Sequence, residues 1–323
     1  MKRTLLVLRH GKSDWPIGMA DFKRPLKERG RRDAKRVGLW IIEQKLIPDY
    51  VITSTAERAI TTAEKICKVM GVHHSKIIGN EAIYEAEVDR LIEVLHTSPE
   101  KAKTILLIGH NPGLESLLLF LGKDVIIPED GKLLPTAALA RLEVSCNWKA
   151  LSRNCAKLLS ITRPKQLPEK FPYPDENGSE YRDRPAYYYS QAAVIPYRFE
   201  NEQLQILAIS SSNDKKWIIP KGIIEPGSDA KTTAIKEAYE EAGIEGEITE
   251  ELGKYSYDKW GGKCNVQVYA MHVTHMMPEQ KWPEWYRQRQ WLNVKEAVGI
   301  LNEKKLTALI KKLKKHLRSN KAE

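Results

Sequence analysis

Three glutamates, Glu237, Glu240 and Glu241, stand at i, i+3 and i+4 in the stretch AIKEAYEEAGI. On a helix this spacing puts all three carboxylates on one face. Crowded negative charge is unfavourable unless a cation sits among it, and hard oxygen donors suit Mg²⁺ or Mn²⁺, which complete their shell from water and phosphate oxygens. The chemistry implied is metal-assisted attack on a phosphate ester or anhydride. An ordinary solvated acidic helix is the plain alternative. A second group combines imidazoles with guanidinium groups: Arg9-His10-Gly11 follows the apolar run TLLVL, Ser54 and Arg58 follow YVIT, and Gly109-His110-Asn111 follows TILLI. Two histidines beside two arginines make a receptor for a tetrahedral anion. A neutral imidazole in such a place can attack phosphorus and divide hydrolysis into two displacements.

The elements that must position these groups can be read around them. Gly222, Pro226 and Gly227 mark a loop, Ser228 or Asp229 is suited to cap a helix from about Ala230 to Ala242, and Gly243 ends it. In the first half, helical patterns at 31–44 and 56–70 lie between the apolar runs. This alternation predicts an α/β domain with a mainly parallel sheet, whose ligands bind beyond the carboxyl ends of the strands, so the three polar clusters should share one rim. Residues 163–185, with Pro164, Pro168, Pro172 and Pro174, read as a charged, semi-rigid linker, so the two centres need not meet. Beyond it the pattern turns to strands: SQAAVIPY, LQILAIS and WIIP before the acidic helix, then KYSYDKW, NVQVYAMHVT and RQRQWLNV. A last helix, Glu303 to Arg318, carries Leu306, Leu309, Ile310, Leu313 and Leu317 on one stripe, which predicts one face packed on the domain and a basic back in solvent. A role at a membrane surface or nucleic acid is the lesser alternative.

The second half resembles the Nudix family. Gly222, Glu237, Glu240, Glu241, Gly243 and Ile244 match the box G-x5-E-x7-R-E-U-x-E-E-x-G-U, with Ala238 as a small U. Ser228 stands where the family has its first Glu, with Glu225 and Asp229 near enough to substitute; Lys236 stands for Arg. The stretch WIIPKGIIEPG and the aromatic segment KWPEWYRQRQW resemble the branch of diadenosine polyphosphate and diphosphoinositol polyphosphate hydrolases. The resemblance implies an α/β/α sandwich with a mixed sheet and a Mg²⁺ or Mn²⁺ site at Glu237, Glu240 and Glu241, one of them serving as base. Lys221, Arg287 and Arg289 are candidates for the remote phosphates. Tyr187, Tyr188, Trp260 and Trp285 are candidates for stacking on a base, with burial in the core as the alternative.

The first half resembles the histidine phosphatase superfamily, in its SixA-type phosphohistidine phosphatase branch, through LRHG, the segment STAERAITTA (Ser54 to Ala63) and Gly109-His110-Asn111. That resemblance implies a phosphoglycerate-mutase-like α/β/α fold in which His10 is the nucleophile and Arg9, Arg58 and His110 hold the phosphoryl oxygens, with no cofactor. Arg24 is a candidate for a further contact, and Glu85 and Glu87 are candidate proton donors. The domains expected are 1–162, the linker 163–185, 186–318 and a tail 319–323. A fusion of these activities resembles MutT-like bacterial proteins, in which the order along the chain is typically reversed.

Composition agrees with a chain of two cores: 323 residues, 42% hydrophobic and 29% charged. No apolar run approaches the roughly 18 to 20 residues of a membrane span. The apolar stretch Thr4 to Leu8 is too short for a signal peptide and meets Arg9 at once. Four cysteines without a CxxC spacing suggest reduced thiols and a cytoplasmic protein. The net charge of +10 favours polyanions without choosing among them. The expectation is a bifunctional phosphohydrolase acting on small phosphate or diphosphate substrates such as a nucleoside di- or triphosphate or a dinucleoside polyphosphate; specific nucleic-acid binding is not expected. The alternatives are a phosphatase for a phosphohistidine protein, coupled to a diphosphoinositol-polyphosphate-type module or to one that senses phosphate without turnover.

Overall fold

The computed structural model describes residues 2–173, 180–212, 216–301 and 304–319. Pro174 of the expected linker, Glu303 of the last helix and residues 320–323 of the expected tail lie outside the described residues. The chain divides into two compact units, Met1–Glu169 and Lys170–Glu323.

In the first unit the order is β1 (Arg3–Arg9), α1 (Glu28–Glu43), β2 (Tyr50–Thr53), α2 (Glu57–Met70), β3 (Ile77–Gly79), α3 (Val88–His96), β4 (Thr104–Gly109), α4 (Gly113–Leu121), β5 (Leu139–Val144) and β6 (Ala156–Thr162). The sheet runs β3-β2-β4-β1-β5-β6. β1, β2, β3 and β4 are parallel, and β5 and β6 are antiparallel to their neighbours. Alternation along β1 sorts its side chains: Leu5 and Val7 join Leu91, Leu95, Leu114 and Leu117 on one face, while Leu6 and Leu8 join Val37, Ile41, Ala63 and Ile66 on the other. Helices therefore cover both faces of the central strands, and a fully buried side chain such as Ile66 contributes about 1.5–3 kcal/mol. The parallel register pairs Arg9 with Gly109 and Thr53 with Ile108, which brings the three polar clusters to one rim.

Within 163–185, where the sequence predicts an extended linker, the described residues 163–173 and 180–185 carry structure of their own. Arg36 on α1 donates to the carbonyl oxygens of Pro164, Leu167 and Pro168 and pairs with Asp33, so the segment through 168 is held on the first unit by a buried guanidinium. Proline carbonyls there have no strand partner, and the arginine satisfies them. β7 (Phe171–Tyr173) and β8 (Glu180–Arg182) then form a hairpin in the second unit.

The second unit continues with β9 (Ser190–Glu200), β10 (Gln203–Ser210), β11 (Trp217–Ile218), β12 (Lys221–Ile223), α5 (Ala230–Ala242), β13 (Ile244–Lys259), β14 (Gly262–Met276), β15 (Arg289–Asn293), α6 (Val294–Leu301) and α7 (Lys304–Ser319). Its sheet is mixed, with β9 and β14 parallel and the other pairs antiparallel. Ala234, Ala238 and Ala242, at i, i+4 and i+8 of α5, are fully buried against Val194, Leu207, Ile209 and Met271. Small side chains on this stripe let the acidic helix lie close to the sheet. The opposite face is covered by Leu301, Leu306, Ile310 and Leu313 of α6 and α7, as the leucine stripe predicts. Among the described residues no helix is long and apolar enough to cross a membrane, and all four cysteines are free thiols.

Candidate active sites

His10 lies just past the end of β1 and is 8% exposed. Its Nδ1 lies 2.7 Å from the Gly11 carbonyl oxygen, which can only accept, so Nδ1 carries the proton and Nε2 keeps its lone pair. Arg58 on α2 donates from Nε to that Nε2 at 3.3 Å. Burial, together with the neighbouring His110, Arg58 and Arg9, takes the His10 pKa down to about 3, against a smaller upward pull from the Gly11 carbonyl. The imidazole is therefore neutral through the physiological range.

His110 faces it with ring centroids 5.1 Å apart. The Ser54 hydroxyl lies 2.8 Å from His110 Nε2, and burial followed by the charge of Arg58 lowers the His110 pKa to about 4. Its Nδ1 is buried without a hydrogen-bond partner among the described residues. Arg9 donates to the Leu134 carbonyl, and its Nε is likewise unpartnered. His10, His110, Arg9 and Arg58 are thus gathered in one place. Arg24 is spent differently: Nε donates to the Asp14 carbonyl, Nη2 to Ser13 Oγ and Nη1 to Asp21, while Trp15 lies over its guanidinium at 3.3 Å. It braces the loop before α1, because each of its nitrogens already has a local acceptor.

Glu85 borders the Tyr84 hydroxyl, and Glu87 immediately precedes α3. Three residues that the sequence reading passed over also belong to the pocket: Asp21, which accepts from Arg24, Arg58 and Tyr84; Tyr84, whose ring stands edge-on to His110; and Thr62, which accepts from the Gly11 N–H. The available signal was an acid three residues before Arg24 in the loop between β1 and α1.

In the second unit Asp229 caps α5, accepting from the Thr232 N–H at 2.8 Å, and Gly243 closes the helix in the left-handed region at φ 59°. Glu237 and Glu241 line an open cleft of about 450 Å³ with Lys221, Gly222, Glu225, Lys259, Trp260 and Arg287. Burial, then the charges of Glu241 and Glu240, push Glu237 up to about 7. Its carboxylate rests on Gly222, where an added Cβ would lie 1.9 Å from Oε1. Glu241 is buried, accepts from the Lys221 N–H at 2.9 Å and pairs with Arg287 at 2.8 Å.

Glu240 does not line this cleft and pairs with Lys236 one turn back at 3.3 Å. Of the two carboxylates near Ser228, Glu225 lines the cleft, whereas Asp229 is used as the cap. Arg287 lines the cleft while bonded to Glu241, Glu284 and the Ser210 carbonyl. Arg289, expected near remote phosphates, instead donates to the Ala242 and Met277 carbonyls and lies over Trp282 at 3.8 Å. Of the aromatic candidates only Trp260 lines the cleft.

Among the described residues no three acidic, histidine or cysteine side chains are close enough to hold an ion as they stand. The donor chemistry nevertheless fits a divalent cation. The buried Glu241 and the half-buried Glu237 share one cleft, and desolvation and mutual repulsion raise the proton affinity of Glu237, a cost that a cation would relieve.

Comparison with known proteins agrees with this division. Residues 5–102 match the family model of the histidine phosphatase superfamily (branch 1), and residues 189–317 match that of the NUDIX domain. An uncharacterized protein of Mycobacterium tuberculosis is 31% identical over 163 residues, 49% of this chain and 100% of that protein. Human diphosphoinositol polyphosphate phosphohydrolase 3-alpha is 32% identical over 114 residues, 34% of this chain and 68% of its own length. Among solved structures, a putative phosphohistidine phosphatase SixA from Nakamurella multipartitia covers 51% of this chain and 97% of its own at 23% identity and a TM-score of 0.46. A C. elegans Ap4A hydrolase covers 40% of this chain and 98% of its own at 23% identity and a TM-score of 0.37.

Proposed function

The chain belongs to the histidine phosphatase superfamily through its first half and to the NUDIX family through its second, and from that premise we propose that it is a bifunctional phosphohydrolase with two separate centres. The first removes a phosphoryl group from a monoester or a phosphohistidine by way of His10. The observation that carries this reading is the neutral imidazole with its Nε2 lone pair facing Arg58, beside His110 and Arg9. As Arg58 turns its N–H groups to the phosphoryl oxygens, Nε2 attacks phosphorus, the bond to the leaving alcohol oxygen or donor imidazole breaks and the leaving group takes a proton from water, while Arg58 and Arg9 take up the charge on the equatorial oxygens and His110 supplies a further contact. Water then displaces phosphate from His10.

The second centre cleaves a diphosphate linkage in a nucleoside di- or triphosphate or a dinucleoside polyphosphate. Glu237 and Glu241 would hold a Mg²⁺ or Mn²⁺ ion there, joined by Glu240 once it leaves Lys236. Such an ion supplies charge neutralisation on the diphosphate and a more acidic bound water. One of the glutamates of this helix serves as the base that takes a proton from the attacking water. Lys221, Lys259 and Arg287 bring positive charge to the same cleft for phosphates beyond the scissile bond.

A second reading applies to this half alone. Ser228 lacks the carboxylate of the Nudix box and Glu241 is already paired with Arg287, which favours a diphosphoinositol-polyphosphate-type or phosphate-sensing module over rapid nucleotide turnover. The deciding experiment assays the full chain, with and without Mg²⁺, on nucleoside triphosphates, dinucleoside polyphosphates, triphosphorylated RNA, inositol pyrophosphates, p-nitrophenyl phosphate and a phosphohistidine peptide. Metal-dependent cleavage of a nucleotide anhydride together with metal-independent monoester or phosphohistidine hydrolysis is expected. Failure on every anhydride would leave the sensing module.

A further inference from the structure

The His10 pocket contains an acid that the phosphoryl-transfer scheme does not use. Asp21 begins a 3-10 turn, Asp21–Lys23, in the segment between β1 and α1. Its Oδ2 accepts from Arg58 Nη2 and from the Tyr84 hydroxyl, each at 2.8 Å, and its Oδ1 accepts from Arg24 Nη1 at 2.8 Å. The Asp21 carbonyl also accepts from Arg58 Nη1 at 2.6 Å. Both terminal nitrogens of Arg58 are therefore engaged by one residue, which leaves Nε directed at His10 Nε2.

A carboxylate bridging two guanidinium forks makes the same kind of contact that a phosphoryl group would make there. The side chains of Arg24 and Arg58 are 9% and 7% exposed, whereas that of Asp21 is 35% exposed, so a solute approaching these cations meets the carboxylate first. Burial alone would raise the Asp21 carboxyl, but hydrogen bonds from Arg24, Tyr84 and Arg58 take it down to about 2. It is ionised at neutral pH and is no proton source for a leaving group.

We propose that Asp21 is a positioning residue that holds the Arg58 guanidinium beside His10, where the phosphoryl oxygens arrive, and, in the same place, competes with inorganic phosphate for the Arg58 fork, so that the product is released. The proposal rests on the reading of His10 as phosphoryl acceptor. It gives Asp21 two effects of opposite sign: the charge weakens the binding of free phosphate, while the orientation it imposes speeds turnover. An acid that merely stabilised the loop would have only one sign, because its loss would disorder Arg58 and weaken both. Arg24 stays in place without Asp21, since the Asp14 carbonyl, Ser13 Oγ and the Trp15 ring still hold it.

The test uses the full chain with Asp21→Asn, which keeps shape and removes charge, and Asp21→Glu, which keeps charge. Asp21→Ser serves as a second neutral variant should asparagine fold poorly. Inorganic phosphate is titrated calorimetrically in metal-free buffer, with Arg58→Ala as the blank, and kcat is measured on p-nitrophenyl phosphate. The neutral variants should bind phosphate about tenfold more tightly while kcat falls about tenfold, and Asp21→Glu should keep phosphate affinity within about twofold of the parent. Phosphate binding that is unchanged or weaker in both neutral variants overturns the proposal. If the parent hydrolyses no monoester or phosphohistidine yet the neutral variants still bind phosphate more tightly, the hydrolytic reading falls and the competition by Asp21 stands.

Discussion

Gly222→Ala separates the geometry of the second centre from the stability of its fold. β12 pairs Gly222 with Ala192 and its backbone conformation is open to any L-residue, so alanine brings no backbone strain. The new Cβ, however, would lie 1.9 Å from Glu237 Oε1, 2.1 Å from its Cδ and 2.6 Å from Oε2. Ordinary contact begins near 3.4 Å, so the carboxylate must retreat by about 1.5 Å. Because the obstructed atoms are the end of a flexible side chain, the chain yields by moving Glu237, and the melting temperature should change little. A misplacement of about 1 Å at a reacting group costs on the order of 100-fold, and disturbed support of a metal ligand about 10- to 100-fold. Hydrolysis of diadenosine tetraphosphate, titrated with Mg²⁺ from micromolar to tens of millimolar, should therefore show kcat/KM lower by about 10- to 100-fold and half-saturation shifted to higher metal. Monoester hydrolysis by the same preparation, measured alongside, should be unaffected. Parent-like metal saturation and turnover in Gly222→Ala would refute the placement of Glu237 at the reacting centre.

Other expectations follow from the same geometry. Chelation by EDTA should abolish anhydride cleavage and leave monoester hydrolysis intact, as read by phosphate release from paired substrates. Removing one partner of the buried Glu241–Arg287 pair, as in Arg287→Leu, should destabilise the fold by about 3–5 kcal/mol in urea unfolding. The monoesterase should retain activity down to pH 5, because His10 titrates at about 3; an unperturbed imidazole would be about 97% protonated there. The folded pKa values of His10 and His110, about 3 and about 4, lie below the ordinary 6.5, so below that pH the unfolded chain binds more protons than the folded one. Stability should therefore fall as pH drops from about 6.5 toward 4, with a limiting slope of about 1.4 kcal/mol per pH unit for each histidine, and His10→Asn should reduce that slope.

Periodicity and punctuation made most of the architecture legible. The runs TLLVL, YVIT and TILLI became β1, β2 and β4, and their parallel register brought His10, Arg58 and His110 together because each cluster directly follows a strand end. The box helix ended at Gly243 as read, and Asp229 proved to be its cap. Less visible was how cations and acids pair off, since sequence spacing fixes the helical face of a side chain but not the partner it finds across the fold. Arg289 turned to two carbonyls across the fold, whereas Glu240 paired with Lys236 one turn back on its own helix and Arg24 with the loop that carries it. Asp21 escaped notice for the same reason: its partners Arg58 and Tyr84 lie 37 and 63 positions away. The proline-rich segment looked like a spacer because prolines lack the donor a strand needs, yet their carbonyls were free to be gathered by Arg36.

The most direct test of two independent centres is one double dissociation in the intact chain. His10→Ala and Glu241→Gln are each assayed on diadenosine tetraphosphate with Mg²⁺ and on p-nitrophenyl phosphate without it. His10→Ala should lose at least about 10³-fold in monoester hydrolysis with the anhydride reaction unchanged, and Glu241→Gln should do the reverse. Loss of both reactions in either correctly folded variant, or of neither in both, would contradict the account.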